Sequence, residues 1–152
     1  MAITALEARG QILDDLAEAL DQLALAIGYL TEAHELLDDN SAERLEAELF
    51  RPVQKAFGRS KRTYAGFAQR FELGVREIVE ATPGRSSQGV KAFVEQAVVA
   101  SSTADQMIAG LQDSMLPIES GDPELRAGLA EVRELLDGVP GTARRFLGVL
   151  GR

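Results

Sequence analysis

Residues 13–37 read LDDLAEALDQLALAIGYLTEAHELL, in which large side chains of a helical ladder recur at alternating steps of three and four. The ladder consists of Leu13, Leu16, Leu20, Leu23, Ile27, Leu30, His34 and Leu37. Alanines fill many of the flanking positions, so the apolar face is wider than a two-stranded coiled coil needs. This width predicts a long helix that packs against several neighbours at once, as in a helical bundle.

Sequence signals at both ends of the ladder set the limits of this helix. Thr4, with Glu7 three residues later, forms a capping box, so we expect the helix to begin there and to run to about Asp38. Asn40 with Glu43 forms a second capping box. The connection to the second helix is therefore very short, which predicts that the two helices pack antiparallel.

The apolar spacing continues through a second segment, residues 41–81. Pro52 and Gly58 interrupt the segment, because proline removes a backbone hydrogen bond and clashes with the preceding turn. We therefore expect either one bent helix over 41–81 or two helical segments joined near 58–61.

The remaining sequence predicts three more helices. A third ladder covers residues 90–115, with Ser86 or Ser87 as its N-cap, and a fourth helix covers 122–138. A short final helix follows from Thr142. The predicted fold class is all-α: an antiparallel up-and-down four-helix bundle with three long helices, a shorter fourth and a short C-terminal helix, in one domain over residues 1–152.

Several enzyme classes lack their required residues in this chain. There is no cysteine and only one histidine, His34, so thiolate metal sites, cysteine nucleophiles and the paired Glu-x-x-His motifs of di-iron bundles cannot be built. We therefore expect no enzymatic activity, no metal and no cofactor. For His34 itself the alternatives are a hydrogen-bonded histidine at the end of a bundle, a pH sensor and a phosphotransfer residue.

The net charge of −8 is distributed unevenly along the chain. Residues 1–48 carry twelve acidic and two basic residues, a local net charge of −10, whereas residues 49–71 carry six basic residues and no acidic one. Such a chain can neutralise itself by placing the second helix against the first. It can equally display the basic segment as a binding surface.

Four cations of the basic segment predict a partner-binding face. Arg51, Lys55, Arg59 and Arg62 are spaced by four, four and three residues, so one helical stripe holds all of them if the helix continues past the proline. A stripe of this kind can bind an acidic protein. The alternatives are that it neutralises the acidic face of the first helix, or that it binds nucleic acid or membrane headgroups; the acidic composition argues against nucleic acid.

A second predicted partner-binding face lies on the first helix. Leu25, Tyr29 and Leu36 fall opposite the ladder at helical spacing, where an apolar stripe predicts a further contact. The contact is made either by another helix of the same chain or by another subunit.

These observations favour a non-enzymatic protein–protein interaction module, namely an adaptor, a chaperone-like partner or a helical protein associated with a toxin or secretion system. The different-class alternative is a binder of anionic surfaces through residues 51–62. The expected partner is a protein, with a second copy of this chain among the candidates. No apolar stretch is long enough to span a bilayer, and the absence of cysteine and of a recognisable signal peptide favours a cytoplasmic location.

Overall fold

The computed structural model describes residues 4–83 and 89–151. Of these residues 83% are helical, and none of them forms a strand, which confirms the all-α prediction. The elements are α1 (Ala5–Glu35), α2 (Asp39–Leu45), a π-helical turn (Glu46–Phe50), α3 (Arg51–Arg70), α4 (Val90–Asp113), α5 (Leu116–Glu119), α6 (Pro123–Asp137) and α7 (Val139–Leu150).

The start of α1 is capped as predicted. The Oγ1 of Thr4 accepts a hydrogen bond from the backbone N–H of Glu7 at 3.1 Å. The predicted cap of the next helix is wrong by two residues, since Asp38 and not Asn40 is the N-cap and accepts from the N–H of Ser41 at 2.8 Å. α1 ends at Glu35, before the predicted end near Asp38, and residues 36–38 form the connection, which is short as expected.

Pro52 is accommodated by a widened helical turn. In the π-helical turn the N–H of Arg51 donates to the carbonyl of Glu46, five residues earlier instead of four. The wider spacing leaves room for the proline ring in the first turn of α3, where a missing N–H is tolerated. The chain therefore stays helical from α2 through α3.

The predicted continuation of this helix to residue 81 is wrong. α3 ends at Arg70, and Glu72 adopts a left-handed conformation with φ 55°. The N–H of Leu73 then donates to the carbonyl of Ala68 at 2.8 Å and the N–H of Glu72 to the carbonyl of Gln69 at 3.2 Å, the pair of bonds that ends a helix in a Schellman motif.

Residues 73–83 form a non-helical segment, here called the strap, that lies along α1. At its beginning the N–H of Arg76 donates to the hydroxyl of Tyr64 at 3.0 Å, and the guanidinium of Arg76 forms an ion pair with Asp21. At its end Ala81 and Pro83 press against Gly28, where a Cβ would lie 2.5 Å from the carbonyl oxygen of Ala81. Gly28 thus makes room for the strap and not for another helix.

Contacts at the helix ends fix the directions of α1, α3 and α4. The guanidinium of Arg9 lies 4.1 Å from the ring centroid of Phe71, at the end of α3, so α3 runs opposite to α1 as predicted. The rings of Tyr29 and Phe93 are 6.4 Å apart, which places the start of α4 beside the last turns of α1. Because α1 and α4 are in contact over most of their length, α4 also runs opposite to α1.

The strap changes the order of directions from the predicted one. In an up-and-down bundle successive helices alternate in direction, but α3 and α4 both run opposite to α1, because the strap returns the chain along α1 before α4 begins. α6 then runs opposite to α3: Arg70 at the end of α3 pairs with Asp122 and Glu124 at the start of α6, and Arg59 pairs with Glu131.

The predicted start of α6 is confirmed, whereas that of the last helix is shifted. Asp122 caps α6 and accepts from the N–H of Glu124 at 3.2 Å, with Pro123 in the first turn. α7 begins directly after α6 at Val139, not at Thr142. The predicted N-caps Ser86 and Ser87 of the third long helix lie outside the described residues.

One apolar core joins these helices. The largest fully buried side chains come from every long helix: Phe67, Phe146, Ile12, Leu16, Leu20, Leu23, Leu30, Leu45, Leu49, Ile108, Leu125 and Leu129. α6 approaches α3 closely at Gly128, where a Cβ would lie within 3.1 Å of three side-chain atoms of Thr63. This contact brings α6 close to α3 and positions one wall of the surface described next.

Candidate functional site

The four predicted cations lie together in a groove between α3 and α6. The groove has a volume of about 480 Å³ and is lined by Arg51, Gln54, Lys55, Gly58, Arg59, Arg62, Glu131 and Leu135. Because α3 is a regular helix after the π-helical turn, the spacing of the cations keeps them on one face. We call the set of Arg51, Lys55, Arg59 and Arg62 the basic patch.

One member of the basic patch is held by its own chain. The Nε of Arg59 donates to a carboxylate oxygen of Glu131, and its Nη1 donates to the hydroxyl of Thr63 at 3.1 Å. The same hydroxyl donates to the carbonyl of Arg59 at 2.8 Å. Arg59 therefore positions α6 beside α3 and has only part of its guanidinium left for a partner.

The other three members have no acidic partner within the described part of the chain. Arg51, Lys55 and Arg62 are exposed, and none lies within 4.0 Å of a carboxylate there. Their charges can therefore be offered to a ligand without breaking an ion pair within these residues. Free cations on one side of a groove can bind carboxylates or phosphates, and the two arginines can do so with two parallel hydrogen bonds each.

The acids of α1 do not neutralise the basic patch. None of its four cations forms an ion pair with α1 within residues 4–83 and 89–151; the only pair it makes there is with α6. The strap lies between α1 and α3 and supplies its own cation, since Arg76 pairs with Asp21. This pairing raises the pKa of Arg76 above its ordinary value, chiefly through the hydrogen bond to Asp21.

Glu131 and the strap were not predicted as neighbours of these charges. The sequence contains no local signal for either contact, because Glu131 lies 72 residues after its partner and the strap looks helical by its apolar spacing. Both are consequences of how the helices pack.

The apolar stripe of α1 is less exposed than predicted. Leu25 and Tyr29 are half-buried and pack against the core, and the Tyr29 ring contacts Phe93 of α4. Only Leu36, at the end of α1, is open to solvent, with 57% of its surface exposed. Tyr29 thus meets another helix of the same chain, one of the two kinds of contact that the stripe predicts, and Leu36 remains exposed.

His34 lies at the end of the molecule formed by the last turn of α1 and the π-helical turn. It is half-exposed, and its Nε2 is 3.8 Å from a carboxylate oxygen of Glu46. The two residues share a shallow pocket of about 260 Å³ with Thr31, Glu35, Phe50 and Gln54. Because both side chains are largely exposed, this contact contributes little to stability.

The described residues contain no group of three or more His, Asp or Glu side chains arranged to hold a metal ion. Among the same residues, no helix is both long enough and apolar enough to cross a bilayer. Comparison of the chain with known protein families, with curated proteins and with solved structures finds no significant match.

Proposed function

We propose that this protein is a non-enzymatic interaction module that binds an acidic protein surface through the basic patch. The proposal rests on the positive charges of the basic patch that are unpaired within the described residues. In a chain with net charge −8, three neighbouring exposed cations have no acidic partner among the residues placed by the structure. An acidic partner would supply the missing carboxylates, and Leu135 in the same groove would add apolar contact.

The scaffold of this proposal is a four-helix bundle of α1, α3, α4 and α6 in a single domain. Contacts of α1 with α3 and α4, and of α6 with the same two helices, support it. A rigid bundle suits recognition because its helices hold the cations at fixed spacing. A cytoplasmic location belongs to the proposal as well, with the absence of cysteine as its support.

The alternative function is binding of an anionic surface made of phosphates, either nucleic acid or membrane headgroups. The two free arginines in the groove favour it, because a guanidinium binds phosphate with two hydrogen bonds. Against nucleic acid stands the net negative charge, which repels a polyanion outside the patch.

The test uses Lys55→Glu with Arg62→Glu. Both residues are exposed and free of ion pairs in the described structure, so the double variant should fold, whereas Arg59→Glu would oppose Glu131. The matched control is Arg126→Glu with Arg144→Glu, which changes the net charge equally on exposed positions of α6 and α7. Binding of a glutamate-rich helical peptide is measured by fluorescence anisotropy at low salt.

The expected result is that the wild type and the control bind the peptide and the patch variant binds it at least about tenfold more weakly. Wild-type affinity should fall steeply with added salt, because exposed charges beyond a Debye length are screened. Equal binding by all three proteins would refute the proposal. Tighter binding of duplex DNA or of phosphatidylserine vesicles than of the peptide would favour the alternative.

A further inference from the structure

A second charged stripe lies on the outer face of α1. Glu7, Asp14 and Glu18 are exposed, and none of the three forms an ion pair with another described residue. At 100° per residue their positions fall within about 40° of one another, so they share one face of the helix. We call these three residues the acidic stripe.

The acidic stripe mirrors the free cations of α3 in its spacing. Glu18, Asp14 and Glu7 are separated by four and then seven residues when α1 is followed backwards. Arg51, Lys55 and Arg62 are separated by four and then seven residues when α3 is followed forwards. Both sets span eleven residues of regular helix, about 16 Å.

From this match we infer that α1 of one copy docks antiparallel along α3 of a second copy. The pairs are Glu18 with Arg51, Asp14 with Lys55, and Glu7 with Arg62. A parallel arrangement does not match, because it would set the spacing of seven and four against that of four and seven. This inference rests on the proposed function, and it names the acidic surface that the basic patch recognises.

The surface of α3 at this place suits a second helix. Gly58 lies between Lys55 and Arg62, and a Cβ there would meet no atom of another described element within 4 Å; the nearest side-chain atom is Nη1 of Arg62, at 3.6 Å. The absence of a side chain lets another backbone approach closely. The acidic helix can therefore lie in the groove with its carboxylates near the flanking cations.

The two surfaces cannot pair within one molecule. Asp14 borders a groove with Tyr64 and Leu73, near the end of α3. The other end of α3 follows Phe50, which lies beside His34 at the end of α1. Because the stripe and the patch lie toward opposite ends of the molecule, neither neutralises the other within one copy, and each must meet its counterpart on another copy.

Exposed ion pairs contribute little individually, so the predicted association is weak and sensitive to salt. Sedimentation velocity of the wild type over a concentration series should show dimers in low salt, with longer species as well if the contacts propagate from copy to copy. Their apparent Kd should rise by at least about tenfold on moving to physiological salt and above.

Two neutral variants test the pairing of surfaces. The first is Glu7→Gln with Asp14→Asn and Glu18→Gln, and the second is Arg51→Gln with Lys55→Gln and Arg62→Gln. Each variant alone should be monomeric, because it lacks one of the two surfaces. An equimolar mixture should form a one-to-one dimer that grows no further, since the first variant keeps the patch and the second keeps the stripe.

The register is tested by cross-linking, which the cysteine-free chain makes simple. A mixture of Asp14→Cys protein with Lys55→Cys protein should form a mixed disulfide under mild oxidation at least about tenfold faster than a mixture of Asp14→Cys with Arg62→Cys, whose Cα atoms would be about 10 Å out of register. Equal rates would overturn the register.

A wild type that stays monomeric at the highest concentration in low salt would overturn the inference. If that monomeric protein still binds the glutamate-rich peptide through the basic patch, the proposed function stands and only its assignment to a second copy fails. If the protein binds neither a second copy nor the glutamate-rich peptide, both proposals fail.

Discussion

Asp15 shows how the charge of α1 acts on a single residue. Its carboxyl is half-buried on α1, and burial raises its pKa above the ordinary value of 3.8, with Glu18 and Asp14 adding like-charge repulsion. The folded protein therefore holds the Asp15 proton more tightly than the unfolded chain does. Stability from this residue is fully present below pH 3.8 and is lost as the pH rises through the raised pKa.

We predict that Asp15→Asn is more stable than the wild type at neutral pH. The amide removes the cost of a buried charge beside two carboxylates, so the variant should unfold at higher urea concentration. Below the ordinary pKa of aspartate the difference should disappear, because the wild-type carboxyl is then protonated as well. Urea titrations at several pH values measure this.

The control is Glu77→Gln, at an exposed position of the strap. Like Asp15→Asn, it removes one negative charge, but at a position away from Asp14 and Glu18. It should therefore leave the urea midpoint nearly unchanged. A wild type as stable as Asp15→Asn at neutral pH would contradict the interpretation.

The position of the strap on α1 depends on the absence of a side chain at Gly28. A Cβ at this position would lie 2.5 Å from the carbonyl oxygen of Ala81 and 2.8 Å from Cδ of Pro83. A backbone oxygen and a proline ring cannot rotate away as a flexible side chain would. The glycine therefore costs helix propensity in α1 and, in exchange, permits the strap to lie on the helix.

We predict that Gly28→Ala lowers the free energy of unfolding by about 1–3 kcal/mol, because the strap must shift. Gly110→Ala is the matched control: Gly110 is also inside a helix, but nothing lies within 4 Å of its Cβ position. This control should raise the free energy of unfolding by about 0.5–1 kcal/mol through helix propensity alone. Chemical denaturation should therefore show a lower free energy of unfolding for Gly28→Ala and a higher one for Gly110→Ala. A higher free energy of unfolding in both variants would mean that the strap does not rest on α1.

One apolar core connects all the long helices of the described structure. Buried side chains of α1 touch a cluster that also contains residues of α3, α4, α6 and α7. No described helix has a separate core of its own. A chain of this kind is expected to lose its helices together.

We therefore predict one cooperative unfolding transition for residues 1–152. The calorimetric enthalpy should equal the van't Hoff enthalpy, and circular dichroism and tyrosine fluorescence should give the same midpoint. Two separated transitions would show that the chain consists of two independent units and would contradict the single-domain prediction.

The local sequence determined the helical elements where apolar period and capping agree. The ladder of α1 is confirmed as far as His34, and Leu37 lies beyond the end of the helix. The caps at Thr4 and Asp122 are confirmed, because an N-cap hydrogen bond joins residues only two or three apart. The common face of Arg51, Lys55, Arg59 and Arg62 could be predicted for the same reason, since it depends only on helical spacing. The apolar spacing gave a wrong prediction beyond α3. It continues at helical period through the strap, although the left-handed conformation of Glu72 ends the helix.

Only the tertiary structure decided which charges meet. Arg59 pairs with Glu131, and Arg76 of the strap pairs with Asp21 of α1, contacts that join residues more than fifty positions apart. The tertiary structure also decided that Leu25 and Tyr29 pack against the core, with the Tyr29 ring beside Phe93 of α4. It likewise left Arg51, Lys55 and Arg62 without an acid in the described chain. Spacing along a helix is a local property, whereas neutralisation and burial depend on which distant element packs alongside.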